Sequence, residues 1–214
     1  MTGLDLSLYL VLDPGLCRLH SMVDTARAAV VGGATAVQLR DKDADTAALI
    51  EVGRALKLAL AGTGVPLIVN DDLDAALAIE ADGLHVGQDD IPAREARRRM
   101  DRGKILGLSV ETEAAVRAVD PSVVDYVGIG PVFGTPTKPD HQPPIGLDGL
   151  ARLVAISPVP AVAIGGLKVE HVPAVLASGA EGVAVVSAVC GQPDPEAATG
   201  VLAAAIRDWR RRYR

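Results

Sequence analysis

The sequence predicts a single (β/α)8 barrel over residues 1–214, and three observations carry the prediction. Eight short β-branched runs are spread along the chain, each followed by an Ala- and Leu-rich stretch of helical periodicity. Four strand entries look alike: GATAVQLR at 33–40, ADGLHVGQ at 81–88, VDYVGIGP at 124–131 and AEGVAVVS at 180–187. In each, a helix ends near Gly or Ala, an acidic or small turn follows and a buried strand begins, which is the αβ turn such a barrel needs. Finally, an open doubly wound sheet normally has fewer strands, and the first βα turn, DPGLCRLHS, lacks the G-x-G-x-x-G of a dinucleotide site.

In chain order the expected strands are Leu6 to Leu12, Ala36 to Arg40, Leu67 to Asp71, Leu84 to Gln88, Ile105 to Val110, Tyr126 to Val132, Ala161 to Gly165 and Val183 to Ala188. A helix is expected in each gap, with acceptable starts at Asp45, Asp72 and Pro92, and the last helix runs from about Pro195 to Arg212. One connection differs from the rest. Phe133 to Asp148 is long and rich in Pro, Gly and Thr, the composition of a functional lid.

Composition narrows the function. With 49% apolar and 22% charged residues the chain reads as globular, its core expected to be filled by Val, Ile, Leu and Ala. Five aromatics leave few rings for nucleobases to stack on, and a net charge of -6 repels polyanions, so no nucleic-acid partner is expected. No apolar run is long enough to span a bilayer. MTGLDLSLYLVLD carries Asp where a secretory signal carries Lys or Arg, so a cytoplasmic protein with no membrane partner is expected. Cys17 and Cys190, far apart in sequence, are read as two reduced, buried hydrophobes with no assigned chemistry. Whether the chain forms a homo-oligomer is left open.

The chemistry should lie at the C-terminal strand ends. Strand 2 ends in VQLRDK, and a period of two puts Gln38, Arg40 and Lys42 on one side, toward the barrel mouth. Strands 3 and 4 end in IVNDD and HVGQDD, placing Asn70, Asp71, Asp89 and Asp90 on adjacent ends. Helix capping competes for Asp72 and Asp89. Asp71 and Asp90 are the candidate Mg²⁺ ligands, because this ion takes oxygen ligands and bridges to substrate phosphates. Arg40, Lys42 and Lys138 would hold the same anion, a diphosphate. A second anion site, for a phosphomonoester, is read from AVAIGGL and GVAVVSA: Gly165 and Gly166 allow close backbone approach and Ser187 offers a hydroxyl, with helix packing as the competing reason for the glycines. His85 is read as a packed strand histidine. His20, His141 and His171 have no partner visible in the sequence, and WRRRYR reads as a solvated helix end.

VQLRDKDAD, LIVNDDLDAALAIEADGLHVGQDDIPAREAR, ILGLSVET, DYVGIGPVFGTPTK, IGL, VAIGGL and GVAVVSAV together resemble the thiamine phosphate synthase family, from about residue 6 to about 198. GPVFGTPTK and HVGQDD in this order make the resemblance specific. It implies a (β/α)8 barrel that joins hydroxymethylpyrimidine diphosphate to a thiazole phosphate and releases pyrophosphate by a dissociative, Mg²⁺-assisted route. It implies a pyrimidine diphosphate site at Gln38, Leu39, Arg40, Asp41, Lys42, Asn70, Ser109 and Lys138, with Arg40, Lys42, Ser109 and Lys138 catalytic. The implied Mg²⁺ ligands are Asp71 and Asp90, and the implied thiazole phosphate site is Thr135, Pro136, Thr137, Gly166, Val186 and Ser187. Two positions depart from the family pattern: Asp41 where many members have Glu, and Gly134 where many have Pro.

Three other readings compete. A thiazole tautomerase would need neither the metal nor the diphosphate cluster, which Asp71, Asp90, Lys42 and Lys138 disfavour. A Schiff-base aldolase would use Lys42, Lys138 or Lys168 as its amine. A non-catalytic phosphometabolite sensor would bind without turnover and would not need paired carboxylates.

Overall fold

The computed structural model describes residues 4–135 and 143–213. Eight parallel strands close into a barrel in sequence order, the first pairing with the last. They are β1 (Leu8–Val11), β2 (Ala36–Leu39), β3 (Leu67–Asn70), β4 (Gly83–Val86), β5 (Ile105–Val110), β6 (Tyr126–Ile129), β7 (Ala161–Ile164) and β8 (Gly182–Val185). The helices between and after them are α1 (Met22–Gly32), α2 (Thr46–Leu60), α3 (Leu73–Ala78), α4 (Ala93–Arg99), α5 (Glu113–Arg117), α6 (Gly146–Ile156), α7 (Val172–Ala177) and α8 (Pro195–Tyr213). The helix starts anticipated from the sequence are observed. The Asp45 and Asp72 carboxylates accept from the backbone N–H of Ala48 and Ala75 at 2.8 and 2.7 Å, and Pro92 stands at the N-cap of α4.

The four similar strand entries are the entries to the even-numbered strands. The residue just before each of these strands, Thr35, Asp82, Asp125 or Glu181, donates its backbone N–H to the preceding odd strand, at the carbonyl of Leu8, Leu67, Leu106 or Ala161. Side chains join in: Thr35 Oγ1, Asp82 Oδ2 and Asp125 Oδ2 accept from the N–H of Leu8, Leu67 and Leu106 at 3.0, 2.9 and 2.7 Å. The weak repeat is thus a reciprocal clamp at the N-terminal end of the barrel, satisfying backbone groups that would otherwise be left without partners.

The apolar interior forms two layers. Most Val, Leu, Ile and Ala side chains pack between strands and helices. The barrel lumen holds a smaller group: Leu6, Tyr9, Val11, Ala36, Ile68, Ile105, Tyr126, Val162 and Ala184. An all-aliphatic core therefore needs correction. Two of the three tyrosines sit at the barrel centre with ring centroids 5.9 Å apart, edge to face, because a lumen of eight strands is wide enough to take large side chains.

Most strands end earlier than expected. Asp71 has φ 62° and Gly165 has φ 101°, so the chain turns out of extended backbone at the ends of β3 and β7, although the Asp71 N–H still donates to the His85 carbonyl and the Gly165 carbonyl still accepts from Phe133. The polar ends of IVND and VAIG leave the sheet and become loops at the barrel mouth.

Candidate active site

The end of β2 differs from the expected row of three donors. The strand stops at Leu39, so Arg40 and Lys42 do not share the Gln38 side by strand alternation. Gln38 is 4% exposed and points into the lumen, where its Nε2 donates to the Tyr9 hydroxyl at 2.9 Å. Leu39 is fully buried in the layer beneath the helices, so its side chain is core and only its backbone is available to a ligand. Arg40 turns toward the end of β1, its Nη1 4.0 Å from Asp13 Oδ2. Asp41 accepts from the N–H of Asp43 at 3.1 Å, which shapes the turn into α2. The Lys42 ammonium crosses to β3 and pairs with Asp71.

Asp71 and Asp90 come together as expected. Their side chains hydrogen-bond to each other, and Asp90 Oδ2 also accepts from the Gly87 N–H at 2.7 Å. Burial, followed by the neighbouring Asp90 carboxyl, pushes Asp71 up to about 6 against the opposing pull of Lys42. Burial also works against ionised Asp90, but the hydrogen bonds from Asp71 and Gly87 and the Lys42 charge outweigh it and hold Asp90 low. Asn70 ends β3 beside them. Asp72 is the helix cap and also accepts from Thr46 Oγ1 at 2.7 Å.

A divalent cation suits this pair. Two carboxyls from adjacent strand ends crowd together with a single ammonium against them, so that once both are ionised one negative charge is left over, which a cation would relieve. Among the described residues no group of three or more His, Cys, Asp or Glu side chains is arranged around a metal position. A two-carboxylate site leaves most positions to water and phosphate oxygens, the habit of Mg²⁺ rather than of a closed protein cage.

Beside this pair, β5 brings Ser109 to the mouth. His85 Nε2 lies 2.9 Å from Ser109 Oγ, and His85 Nδ1 lies 2.9 Å from the Tyr126 hydroxyl. His85 is indeed a packed strand histidine, 7% exposed, and burial pushes it down to about 4, so the ring is neutral. The sequence reading missed Tyr9, Tyr126 and Asp13 as neighbours of the site. Glycine inside β5 and β6, at Gly107 and Gly128, was an available signal for a close approach there.

On the other side of the mouth, Gly165 and Gly166 have φ 101° and 63°. A Cβ on Gly166 would lie 2.6 Å from the Gly134 carbonyl oxygen, and one on Gly165 would lie 2.6 Å from Pro131 Cα. Helix packing is therefore not what these glycines serve. They let the loop after β6 lie flat across β7, where Val132 and Phe133 donate their N–H groups to Ile164 and Gly165 at 2.9 and 3.0 Å. This brings Phe133 and Gly134 against Gly166, and Phe133 stacks on His171 with centroids 4.3 Å apart. After β8, Val186 is half-buried, Ser187 is exposed, and Gln192 Nε2 donates to the Ser187 carbonyl at 2.9 Å. Pro136, Thr137, Lys138 and His141 lie outside the described residues, and the far end of the expected lid, Gly146 to Asp148, is the first turn of α6.

Cys17 and Cys190 are free and buried, as expected; Cys190 Sγ donates to the Val11 carbonyl at 3.6 Å, and its proximity is the first cause that draws Cys17 down to about 7. One further expectation needs correction. The terminal basic run is only partly solvated, since Arg210 donates to Ser7 Oγ at 2.6 Å and to the Glu181 carbonyl at 2.7 Å. His20 and His171 also gain partners, the Pro193 carbonyl and the Lys168 N–H.

A barrel with a carboxylate pair on one side of its mouth and the Gly165–Gly166 turn on the other matches known proteins along nearly its whole length. The family described as thiamine monophosphate synthase matches residues 8–189. The chain belongs to the thiamine monophosphate synthase family. It is 50% identical over 202 residues to a thiamine-phosphate synthase of Xanthobacter autotrophicus, covering 94% of this chain and 96% of that protein. It is 48% identical over 194 residues to one of Roseiflexus castenholzii, covering 91% and 85%. The solved thiamine phosphate pyrophosphorylase of Pyrococcus furiosus superposes with a TM-score of 0.86 at 35% identity, covering 96% of this chain and 98% of that one. As a member of this family the chain is a transferase of thiamine biosynthesis. No described helix is long and apolar enough to cross a membrane.

Proposed function

We propose that this enzyme condenses hydroxymethylpyrimidine diphosphate with hydroxyethylthiazole phosphate to give thiamine phosphate and pyrophosphate. The observation that carries the reading is the Asp71–Asp90 pair with Lys42 against it, in a chain of this family. A thiazole tautomerase has no use for that cluster.

Mg²⁺ bound by Asp71 and Asp90 would supply the charge that makes pyrophosphate a good leaving group. Lys42, Arg40 and Lys138 hold the diphosphate as the C–O bond breaks and its electrons leave with the pyrophosphate. Electrostatic stabilisation of this kind is among the larger contributions a site can make. Gln38, Leu39 through its backbone, Asp41, Asn70 and Ser109 hold the rest of the pyrimidine. The pyrimidinylmethyl cation is captured by the thiazole nitrogen lone pair, so no protein base or nucleophile is required. Thr135, Pro136, Thr137, Gly166, Val186 and Ser187 hold the thiazole phosphate, with the loop between β6 and α6 excluding water that would trap the cation. We place the reaction in the cytoplasm, with phosphorylated small molecules rather than nucleic acid as partners.

The test is direct. The purified protein is incubated with both substrates, with and without Mg²⁺, and thiamine phosphate and pyrophosphate are followed. Mg²⁺-dependent formation of both in equal amounts is expected; isomerisation of the thiazole phosphate without pyrophosphate release identifies a tautomerase instead.

A further inference from the structure

Inside the barrel a polar chain crosses the lumen from Gln38 to Ser109 by way of Tyr9, Tyr126 and His85. Gln38 Nε2 donates to the Tyr9 hydroxyl, the Tyr9 and Tyr126 hydroxyls are 2.8 Å apart, and Tyr126 reaches His85 Nδ1 while His85 Nε2 reaches Ser109 Oγ. Both tyrosines and the histidine are buried, so every hydrogen in the chain needs an acceptor from within it.

The direction of the hydrogens follows from what each group can give. An amide nitrogen only donates, so Tyr9 accepts from Gln38 and turns its own hydrogen to Tyr126. Tyr126, accepting from Tyr9, turns its hydrogen to His85 Nδ1. A ring that accepts at Nδ1 carries its proton on Nε2, which donates to Ser109 Oγ. A doubly protonated ring does not fit, because Nδ1–H would leave the Tyr126 hydrogen without an acceptor. The hydrogen left over is that of the Ser109 hydroxyl, which stands half-buried on β5 near the barrel mouth.

The backbone makes room for this arrangement. A Cβ on Gly107 would lie 2.2 Å from Tyr126 Cζ and 2.4 Å from His85 Nδ1, directly over the bond that sets the tautomer. A Cβ on Gly128 would lie 3.3 Å from His85 Cε1.

We propose that His85 is a positioning residue: the one-way chain from Gln38 fixes it as the Nε2–H tautomer, which donates to Ser109 Oγ and leaves the Ser109 hydroxyl hydrogen free to donate to an acceptor atom of the bound pyrimidine diphosphate. The identity of that ligand rests on the function proposed above. The tautomer does not, since it is a property of the unliganded barrel.

Two measurements test this. In the full-length nitrogen-15-labelled protein without substrate, long-range proton–nitrogen correlation reads the His85 ring, assigned by the signal lost in His85→Gln. A pyridine-like Nδ1 and a pyrrole-like Nε2 are expected; a protonated Nδ1 overturns the proposal. In turnover assays, Ser109→Ala and His85→Ala should each raise KM for the pyrimidine diphosphate about tenfold. The double variant should be no worse than either single one, and His85→Gln, whose amide nitrogen can still donate to Ser109, should recover most of the loss. KM for the thiazole phosphate should stay unchanged. Additive losses in the double variant overturn the proposal, because His85 would then act otherwise than through Ser109. Should His85→Ala not fold, the wild-type tautomer and His85→Gln decide the matter. An Nε2–H ring in a protein that makes no thiamine phosphate supports the tautomer assignment and overturns the proposed function.

Discussion

The carboxyls of Asp71 and Asp90, from the ends of adjacent strands β3 and β4, hydrogen-bond to each other while Lys42 pairs with Asp71. The unliganded pair therefore holds one proton only below about pH 6, and above it the two negative charges call for positive charge in catalysis. Asp71→Asn or Asp90→Asn should lower Mg²⁺-dependent turnover by about a hundredfold or more, roughly 3 kcal/mol of transition-state stabilisation. Steady-state rates across a Mg²⁺ titration check it; near-normal rates in both variants remove these residues from the metal site.

The same pair predicts a gain in stability where activity is lost. Asp71 has a folded-state value raised to about 6, so its contribution to stability is present below the unfolded carboxylate value and is lost as pH rises through 6. Asp71→Asn copies the protonated form. Without Mg²⁺ it should melt a few degrees above the parent at pH 8 and level with it at pH 4. Thermal scans at the two pH values check the difference.

His85 has the opposite sign. Its folded value of about 4 lies below the unfolded value of about 6.5, so the neutral ring's stability is complete above 6.5 and is lost as pH falls toward 4. His85→Gln should flatten the parent's loss of stability in this window by about 3 kcal/mol at most. Urea midpoints measured between pH 4 and 7 check the slope, and parallel curves would show that His85 does not stay neutral in the fold.

How much of this was legible in the sequence depended on how local each feature is. The eight βα units and the caps at Asp45 and Asp72 are set by neighbours in the chain and were readable. The carboxylate pair was readable because IVNDD and HVGQDD end consecutive strands, and consecutive strands are neighbours in a barrel. The lumen chain was not. Tyr9 and Tyr126 are 117 positions apart and meet only because β1 and β6 face each other across the closed barrel, a relation no periodicity encodes. The proximity of Cys17 and Cys190 was missed for the same reason, since closure of β8 on β1 brings their loops together. Strand ends were overestimated because an Asp at positive φ looks like any other Asp in a sequence.

The glycines of β7 carry a prediction of their own. Gly166→Ala places a Cβ at 2.6 Å from the Gly134 carbonyl oxygen at a φ of 63°, so the loop after β6 must shift. KM for the thiazole phosphate should rise while that for the pyrimidine diphosphate changes little, with about 1 to 3 kcal/mol lost in stability. Paired KM measurements and a melting curve test this together.

Ser187 is exposed at the end of β8, so Ser187→Ala should act on binding alone. Loss of a donor to an anion should raise KM for the thiazole phosphate by roughly tenfold or more, in line with about 1.5 to 3 kcal/mol. An effect on the pyrimidine diphosphate instead would mean that the two anion sites are exchanged.

The clamps at Thr35, Asp82, Asp125 and Glu181 all lie at the end of the barrel away from the mouth. They join the strands two by two, as four modules with the same fastening. Descendants of such a protein can therefore change the residues at one rim, and with them the molecules recognised, while the other rim keeps the modules in register. The barrel's capacity to evolve new chemistry is built into the turns that take no part in it.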